Sequence, residues 1–357
     1  MEIPKTEGIK YAGSKLKLLP FIFEMLSGLK GIETVLDGFS GSTRVSQAFA
    51  QLGYTTTSND ISAWSEVFAT CYLKSEKPNA FYKEIIENLN NLTGVDGWYT
   101  ENYGGAEAEI KKPFQLKNTR KLDAIRDEIE RLNLPWEDKC VLLTSLIYAL
   151  DKVDNTLGHY VAYLTDWSAR SYNNLLLKLP HRFSNEKEHR VIRDDVFNTV
   201  KNNRFDLVYF DPPYGSNNEK MPPSRVRYAA YYHLWTTIIN NDKPQLFGKA
   251  NRREDSRDDC GGSVFEEFRK NSSGEFLAME ALRKLINETN SRYLLLSYSS
   301  GGRATREQLL ETISDAGKLL EIRQIDYKKN VMSNMRSTSE WITSDGQHNE
   351  YLFLMEK

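Results

Sequence analysis

The feature that most constrains this chain is the run from Thr34 to Asp60. Thr34-Val35-Leu36-Asp37 is a short apolar strand that empties into the small-residue loop Gly38-Phe39-Ser40-Gly41-Ser42. Thr43 to Leu52 follows with Val45, Ala48, Phe49 and Leu52 on one helical face, Gly53 stands where a helix C-cap belongs, and Tyr54 to Ser58 is a β-branched strand ending at Asn59-Asp60. Strand, turn, helix and strand in that order form a βαβ unit, whose crossover is right-handed and whose sheet is parallel. A chain that begins this way is committed to an α/β sheet.

Further strands are expected at Phe205 to Phe210 and Tyr293 to Tyr298, with Leu319 to Tyr327 and Tyr351 to Met355 as a terminal antiparallel hairpin or edge pair. Helices at about Tyr228 to Asn240, Leu277 to Asn290 and Thr305 to Ala316 alternate with them. From about Ser65 to His189 the strand signal fades, and helical patterns run over Phe81 to Leu92, Thr119 to Leu132 and Asp138 to Leu150. Inside that segment Gly94 to Gly105 reads as a Gly- and Tyr-rich loop, and Lys243 to Ser273 reads as a long mobile loop. The 357 residues suffice for one large α/β domain carrying a smaller insert.

Composition excludes more than it selects. With 40% hydrophobic and 27% charged residues the chain is that of a soluble globular protein, and no apolar run approaches the roughly 20 residues of a membrane span. No signal-peptide stretch occupies Met1 to Lys10, and Cys71, Cys140 and Cys260 lack metal or disulfide spacing, so a reducing, cytoplasmic setting without a metal is expected. A net charge of -2 means that any nucleic-acid binding comes from a local patch.

In an open α/β sheet ligands sit beyond the carboxyl ends of the strands, and three of these ends carry acids: Asp37, Asp60 and Asp211. The Gly38–Ser42 turn lets a ligand approach backbone at a helix N-terminus, although Thr43 breaks the dinucleotide glycine pattern. Asp60, about twenty residues on, suits a ribose diol; it equally suits the cap of a helix starting near Ser62. Asp194-Asp195-Val196-Phe197 sets an acid beside an aromatic, a pair suited to an adenine amino group and ring face. Upstream, Lys10-Tyr11-Ala12-Gly13-Ser14-Lys15 joins an aromatic, a turn and two cations. The strand Val208-Tyr209-Phe210 runs into Asp211-Pro212-Pro213-Tyr214-Gly215, where paired prolines end the ladder and stiffen the exit.

Read in order, these segments resemble the Dam-type N6-adenine DNA methyltransferases of the alpha group, whose target-recognition domain lies between the cofactor motif and the Asp-Pro-Pro-Tyr motif. The resemblance spans nearly the whole chain and takes in Leu294 to Gly302 as the strand and turn flanking a target-base pocket. It departs at Thr43, where the family usually has a second glycine and where a threonine could instead cap the helix or reach a carboxylate. The resemblance implies a Rossmann-like methyltransferase mixed sheet with helices on both faces. Residues 1–64 and 190–357 would form the catalytic domain, and 65–189 an inserted, mainly helical DNA target-recognition domain.

It also implies S-adenosylmethionine as cofactor. Asp60 would hold the ribose, Phe39, Gly41 and Ser42 the methionine moiety and sugar, Asp195 and Phe197 the adenine, and Tyr11, Lys15 and Asp37 the amino-acid end. Asp211 and the Pro212 carbonyl, stiffened by Pro213, would each accept an N6–H of a flipped adenine that stacks on Tyr214. Duplex DNA is the implied partner, met through Lys111, Lys112, Lys117, Arg120 and Lys121, or through Lys249, Arg252, Arg253 and Arg257. The implied enzyme is a monomer, modifying DNA in a restriction–modification system beside a cognate endonuclease. An RNA N6-adenine methyltransferase and a non-catalytic nucleotide- or DNA-binding protein are the alternatives.

Overall fold

The computed structural model describes residues 2–106, 111–184, 186–216, 227–257, 260, 262–326 and 349–357. In chain order its elements begin with α1 (Leu19–Leu26), β1 (Thr34–Asp37), α2 (Arg44–Gln51), β2 (Thr55–Asp60) and α3 (Ala63–Leu73). Four helices follow without a strand of the main sheet: α4 (Asn79–Asn91), α5 (Trp98–Tyr103), α6 (Leu116–Arg131) and α7 (Trp136–Leu150). The chain then returns to the sheet through β3 (Arg190–Arg193), α8 (Val196–Asn202) and β4 (Phe205–Phe210). It ends with α9 (Tyr228–Tyr231), α10 (His233–Asn240), α11 (Leu277–Glu288), β5 (Ser291–Ser299), α12 (Arg306–Ala316), β6 (Lys318–Asp326) and β7 (Asn349–Glu356).

The seven strands pair in the order β6-β7-β5-β4-β1-β2-β3. β7 runs antiparallel to both β5 and β6, and the other pairings are parallel. The central strands are apolar without alternation because both faces are covered. Leu36, Val208, Phe210, Leu294 and Leu296 join a core with residues of α8, α11 and α12, whereas Val35, Leu207, Tyr209 and Leu295 join one with α1 and α2. From β1 the chain winds outward through β2 to β3, then crosses back to place β4 on the other side of β1. That reversal leaves a crevice at the carboxyl ends of β1 and β4, where Asp37 and Asp211 emerge.

A third core lies among α3 to α7 and is completed from elsewhere in the chain by Tyr232, Leu234, Trp235, Ile238 and Ile239 around α10. Arg126 of α6, fully buried, ties the two together by donating to the carbonyls of Ile238 and Ile239 at the end of α10. Those carbonyls belong to a helix C-terminus that would otherwise be left unpaired.

Several expectations change. The Gly94 to Gly105 loop contains the helix α5, capped from a distance: Asp123 of α6 accepts the backbone N–H of Tyr99 at 2.9 Å and of Thr100 at 2.8 Å. A local reading finds no cap there because the capping acid is supplied by another helix. Lys243 to Ser273 is not a bare loop either, since Leu246–Phe247 pairs with Arg252–Arg253 and 3-10 turns follow at Glu254–Ser256 and Val264–Glu266. The expected helix from Tyr228 to Asn240 divides at Tyr232, and β3, short and exposed at both ends, escapes a pattern based on burial. The expected strand end at Tyr327 lies outside the described residues. No helix among the described residues is long and apolar enough to cross a membrane.

Gly38 is fixed by close approach, because a Cβ there would lie 2.7 Å from the ring of Phe210 on the neighbouring strand. Gly38→Ala is therefore expected to destabilise the fold by about 1–3 kcal/mol, as overpacking of a filled core does. Urea denaturation checks this; an unchanged midpoint would show that the β1 exit has room to yield.

Candidate active site

The crevice is built from three chain segments. The turn after β1 supplies Asp37, Phe39, Ser40, Gly41 and Ser42, the exit of β4 supplies Asp211, and the leader supplies Tyr11, Gly13 and Lys15; together with Arg44, Val45 and Tyr209 they line one narrow cleft of about 20 Å³. The leader is held there by aromatic stacking. Tyr11 stacks on Tyr232 with centroids 4.8 Å apart, Tyr232 stacks on Trp235 at 4.1 Å, and the Tyr232 hydroxyl accepts the Ala12 N–H at 2.7 Å. The Tyr11 ring rests on Gly41, whose φ of +47° and lack of a Cβ both matter, since a Cβ would sit 3.0 Å from that ring.

Asp60 takes up the turn role its position suggested and a loop contact besides. Its Oδ1 accepts the N–H and hydroxyl of Ser62, the turn that opens α3, while Oδ2 accepts the Gly41 N–H at 2.8 Å and so fixes the loop after β1. Thr43 departs from expectation. It stands at the N-terminus of α2 with φ +62°, the left-handed conformation in which glycine is free of strain, and its side chain caps nothing. Its buried hydroxyl instead accepts from Gln47 Nε2 at 3.1 Å. A β-branched residue held at that φ costs on the order of 1–3 kcal/mol.

Asp37 is almost completely buried. Its Oδ2 accepts the Ser46 hydroxyl at 2.6 Å, and Oδ1 has no hydrogen-bond partner among the described residues. Burial raises its carboxyl to about 7, against the opposing pull of Ser46. An unpaired buried carboxylate oxygen is costly, and a cation or N–H from outside the chain would satisfy it.

Beyond β4, Asp211 enters a buried polar cluster. Lys15 Nζ lies 2.8 Å from Asp211 Oδ1, 2.5 Å from the Tyr214 hydroxyl and 3.0 Å from Glu350 Oε1. The Tyr214 hydroxyl also touches Asp211 Oδ1 and lies 2.5 Å from Glu350 Oε1, which Ser297 meets at 2.7 Å. Burial raises the Asp211 carboxyl to about 6, with Lys15 pulling it down and Glu350 pushing it up. For Lys15, burial lowers the ammonium but Asp211 and Glu350 prevail, and it is held firmly charged. Tyr298 packs on the Tyr214 ring at 4.8 Å, and its hydroxyl and the Arg303 N–H donate to the Tyr214 carbonyl. The Pro212 carbonyl accepts no backbone hydrogen bond among the described residues, and Pro213 follows it.

Asp195 and Phe197 sit apart from this cleft. Asp195, exposed, caps α8 by accepting the Phe197 N–H at 2.9 Å. Phe197 stacks on Phe265 at 5.7 Å, and Phe265 meets the Phe39 ring edge-on at 5.2 Å, so the link back to the β1 turn runs through a residue that sequence reasoning missed. Glu350 and Ser297 were missed as well. Ser297 falls in the Leu294 to Gly302 segment read as flanking a target-base pocket, without a role of its own, and Glu350 stands one residue before the expected strand; the one signal was a polar residue in a buried register.

The basic runs are largely spent on the fold. Arg253 is buried between Asp242 and Asp255, Arg257 pairs with Glu254, Arg120 pairs with Asp96, and Lys121 donates to the carbonyls of Asn90 and Leu92 at the end of α4. Lys111, Lys112 and Lys249 pair with no carboxylate among the described residues.

A family model described as D12 class N6 adenine-specific DNA methyltransferase matches residues 11–265. Modification methylase StsI of Streptococcus sanguinis is 31% identical over 353 residues, which cover 93% of this chain and 50% of that protein. Modification methylase LlaI of Lactococcus lactis subsp. lactis is 29% identical over 323 residues, covering 85% of this chain and 48% of that protein. Type II methyltransferase M.NlaIII of Neisseria lactamica is 26% identical over 359 residues, covering 98% and 99%. The chain thus spans about half the length of the first two relatives and nearly all of the third.

Because the fold raises the Asp37 carboxyl, the native state holds a proton that the unfolded chain has released, and this contribution to stability is lost as pH rises from about 4 through 7. Asp37→Asn removes the loss. The variant is expected to gain thermal stability over the parent at pH 8, by on the order of 1–4 kcal/mol, and much less at pH 5. Equal shifts in melting temperature at both pH values would count against an ionised, unpaired Asp37.

Proposed function

The chain belongs to the D12 class of N6 adenine-specific DNA methyltransferases, and we propose that it transfers a methyl group from S-adenosylmethionine to the exocyclic N6 of an adenine flipped out of duplex DNA at a specific site. The observation that carries this reading is two carboxylates facing one crevice, buried Asp37 and half-buried Asp211, each with an oxygen that no described residue meets: Asp37 Oδ1 at the end of β1 and Asp211 Oδ2 just past β4.

The residues of the crevice fit the cofactor. Asp37 Oδ1 matches an ammonium group, Tyr11 and Phe39 offer apolar walls, Gly41 and Ser42 bring backbone close, and Asp60 stands ready for ribose hydroxyls with the remaining lone pairs of its oxygens. Asp195 and Phe197 would take the adenine on the flank where Phe265 stands. When bound, S-adenosylmethionine supplies an electrophilic methyl on a sulfonium centre. The cleft is narrow, about 20 Å³, so its lining has to give way to admit it.

The amine of adenine is a weak nucleophile because its lone pair is delocalised into the ring. Asp211 Oδ2 and the Pro212 carbonyl would each accept one N6–H, favouring a pyramidal nitrogen with its lone pair free. An ionised Asp211 also stabilises the charge that develops on the nitrogen, and the buried surroundings strengthen that attraction. Lys15 and Tyr214 hold the other oxygen, so the carboxylate cannot rotate away. The flipped base would lie against Tyr214.

Residues 65–189 are assigned to DNA target recognition, with 1–64 and 190–357 as the catalytic domain; the bridge from α6 to α10 would then couple reading to chemistry. The enzyme is proposed to act as a monomer in the cytoplasm, as the modification partner of an endonuclease that cuts the same site. Lys111 and Lys112, which pair with no carboxylate among the described residues, are proposed to meet phosphate. Lys111→Ala/Lys112→Ala is expected to weaken DNA binding uniformly across sequences and to flatten the dependence of log K on log salt by about one for each phosphate left without its lysine.

Incubation with tritiated S-adenosylmethionine and duplex DNA, followed by digestion and mass spectrometry, is expected to yield N6-methyladenine. Label in RNA alone, or in cytosine, would overturn the substrate. Asp211→Ala is expected to lower turnover by at least about 100-fold while cofactor binding, followed by calorimetry, survives. Retained turnover would remove Asp211 from the mechanism.

A further inference from the structure

The cluster around Asp211 contains a second acid, Glu350, that the methyl transfer itself does not use. It is nearly as buried as Lys15, stands on β7 close to the end of the chain, and lies with Ser297 beyond the residues matched by the family model. Buried carboxylates are expensive, and this one is surrounded by donors that all converge on one oxygen. Glu350 Oε1 meets Lys15 Nζ at 3.0 Å, the Tyr214 hydroxyl at 2.5 Å and the Ser297 hydroxyl at 2.7 Å.

Protons in the cluster are fewer than the acceptors that want them. Lys15 has three N–H bonds and three partners, Asp211 Oδ1, Glu350 Oε1 and the Tyr214 hydroxyl, so its ammonium is fully committed. Tyr214 has a single proton and two carboxylate oxygens within reach, Asp211 Oδ1 and Glu350 Oε1. The two acids therefore compete for one proton and share one cation. Every contact on the Asp211 side falls on Oδ1, and Oδ2 accepts nothing from the described residues.

We propose, resting on the methyl-transfer reading above, that Glu350 is a positioning residue for Asp211: it anchors Lys15 and Tyr214 from the far side, so that they occupy Oδ1 and leave Oδ2 for the substrate amine, and its charge sets the pH at which Asp211 ionises. The groups facing Asp211 are Lys15 from the leader, Asp37 from the end of β1, Tyr209 of β4, Tyr214 of the turn, Tyr228 of α9 and Glu350 of β7. Lys15 lies nearest and favours the ionised form. Glu350 is the opposing charge held in place by the same lysine, and its removal leaves Lys15 to Asp211 alone.

The test is the pH dependence of kcat for methyl transfer to duplex DNA, measured between pH 5 and pH 8.5 on the full chain, with cofactor affinity followed by calorimetry. With an ionised Asp211 required, wild-type turnover falls on the acid side. Glu350→Gln is expected to move that limb to lower pH by about one unit, since a like charge is lost and a cation is kept, while cofactor affinity stays within about twofold. Glu350→Asp, which restores the charge, is expected to return the limb toward its wild-type place. Ser297→Ala withdraws one of the donors that hold Glu350 Oε1, loosens its hold on Lys15 and Tyr214, and moves the limb in the same direction as Glu350→Gln by a smaller amount; it serves where the Gln variant folds poorly. An acid limb unmoved in both Glu350→Gln and Ser297→Ala, or moved equally in Glu350→Gln and Glu350→Asp, overturns the role of Glu350 while leaving methyl transfer intact. A wild-type protein that methylates no DNA takes down both readings together.

Discussion

The crevice depends on one buried ammonium. Lys15 comes from a leader with no regular secondary structure of its own, yet it joins the exit of β4, through Asp211, to the strand β7, through Glu350. Burying a lysine is unfavourable by itself, and two carboxylates within hydrogen-bond reach reverse the sign, so the lysine stays charged and the leader stays in place. Removing Lys15 would leave two neighbouring carboxylates without their shared cation, a loss of about 3–5 kcal/mol in comparable settings. The stacked Tyr11, Tyr232 and Trp235 then fix the leader from its other side. The aromatic stack gives the leader a face to lie on, and the lysine gives it a register.

Much of this organisation is legible in the sequence because it rests on local patterns. The βαβ start, the β4 strand ending in Asp211 and the alternation of helices and strands after it depend on apolar periodicity and on residues that stop a strand, and the structure realises them at those positions. What escapes is whatever one element supplies to another. Asp123 caps α5 from a different helix, Arg126 closes the end of α10 from α6, and Glu350 of β7 meets the partners of Asp211, past β4, with β5 lying between the two strands. A local reading sees in each a charged residue on an amphipathic element and places it toward solvent. The same blindness inflates the basic runs, since Arg120, Lys121, Arg253 and Arg257 look like a phosphate-binding surface until their carboxylate and carbonyl partners are placed beside them.

Thr43 is a sharper case. The departure from glycine was visible, but its consequence was not, because a threonine at a helix start ordinarily caps it. Here the backbone keeps the left-handed turn that glycine would adopt, and the side chain is turned inward to Gln47, which in turn holds the backbone of Glu7 at both its N–H and its carbonyl. The strain at Thr43 is thereby tied to the docking of the leader, the same segment that Lys15 and Tyr11 fasten further along.

The three acids at the strand ends divide their oxygens differently, and the division follows their proposed work. Asp60 spends both on the protein, bonding Gly41 and Ser62, as suits a group that shapes a loop and meets a neutral hydroxyl with a remaining lone pair. Asp37 and Asp211 each spend one, and the other meets no described residue. For those two the fold bears a cost visible in the direction of their titration, both being pushed toward the neutral form by burial. A cation bound at Asp37 and an amine at Asp211 would each relieve that cost, so the ligands of the proposed reaction would also stabilise the crevice. Binding energy of that kind is concentrated on the atoms that must be aligned, which is where a transfer between two small groups needs it.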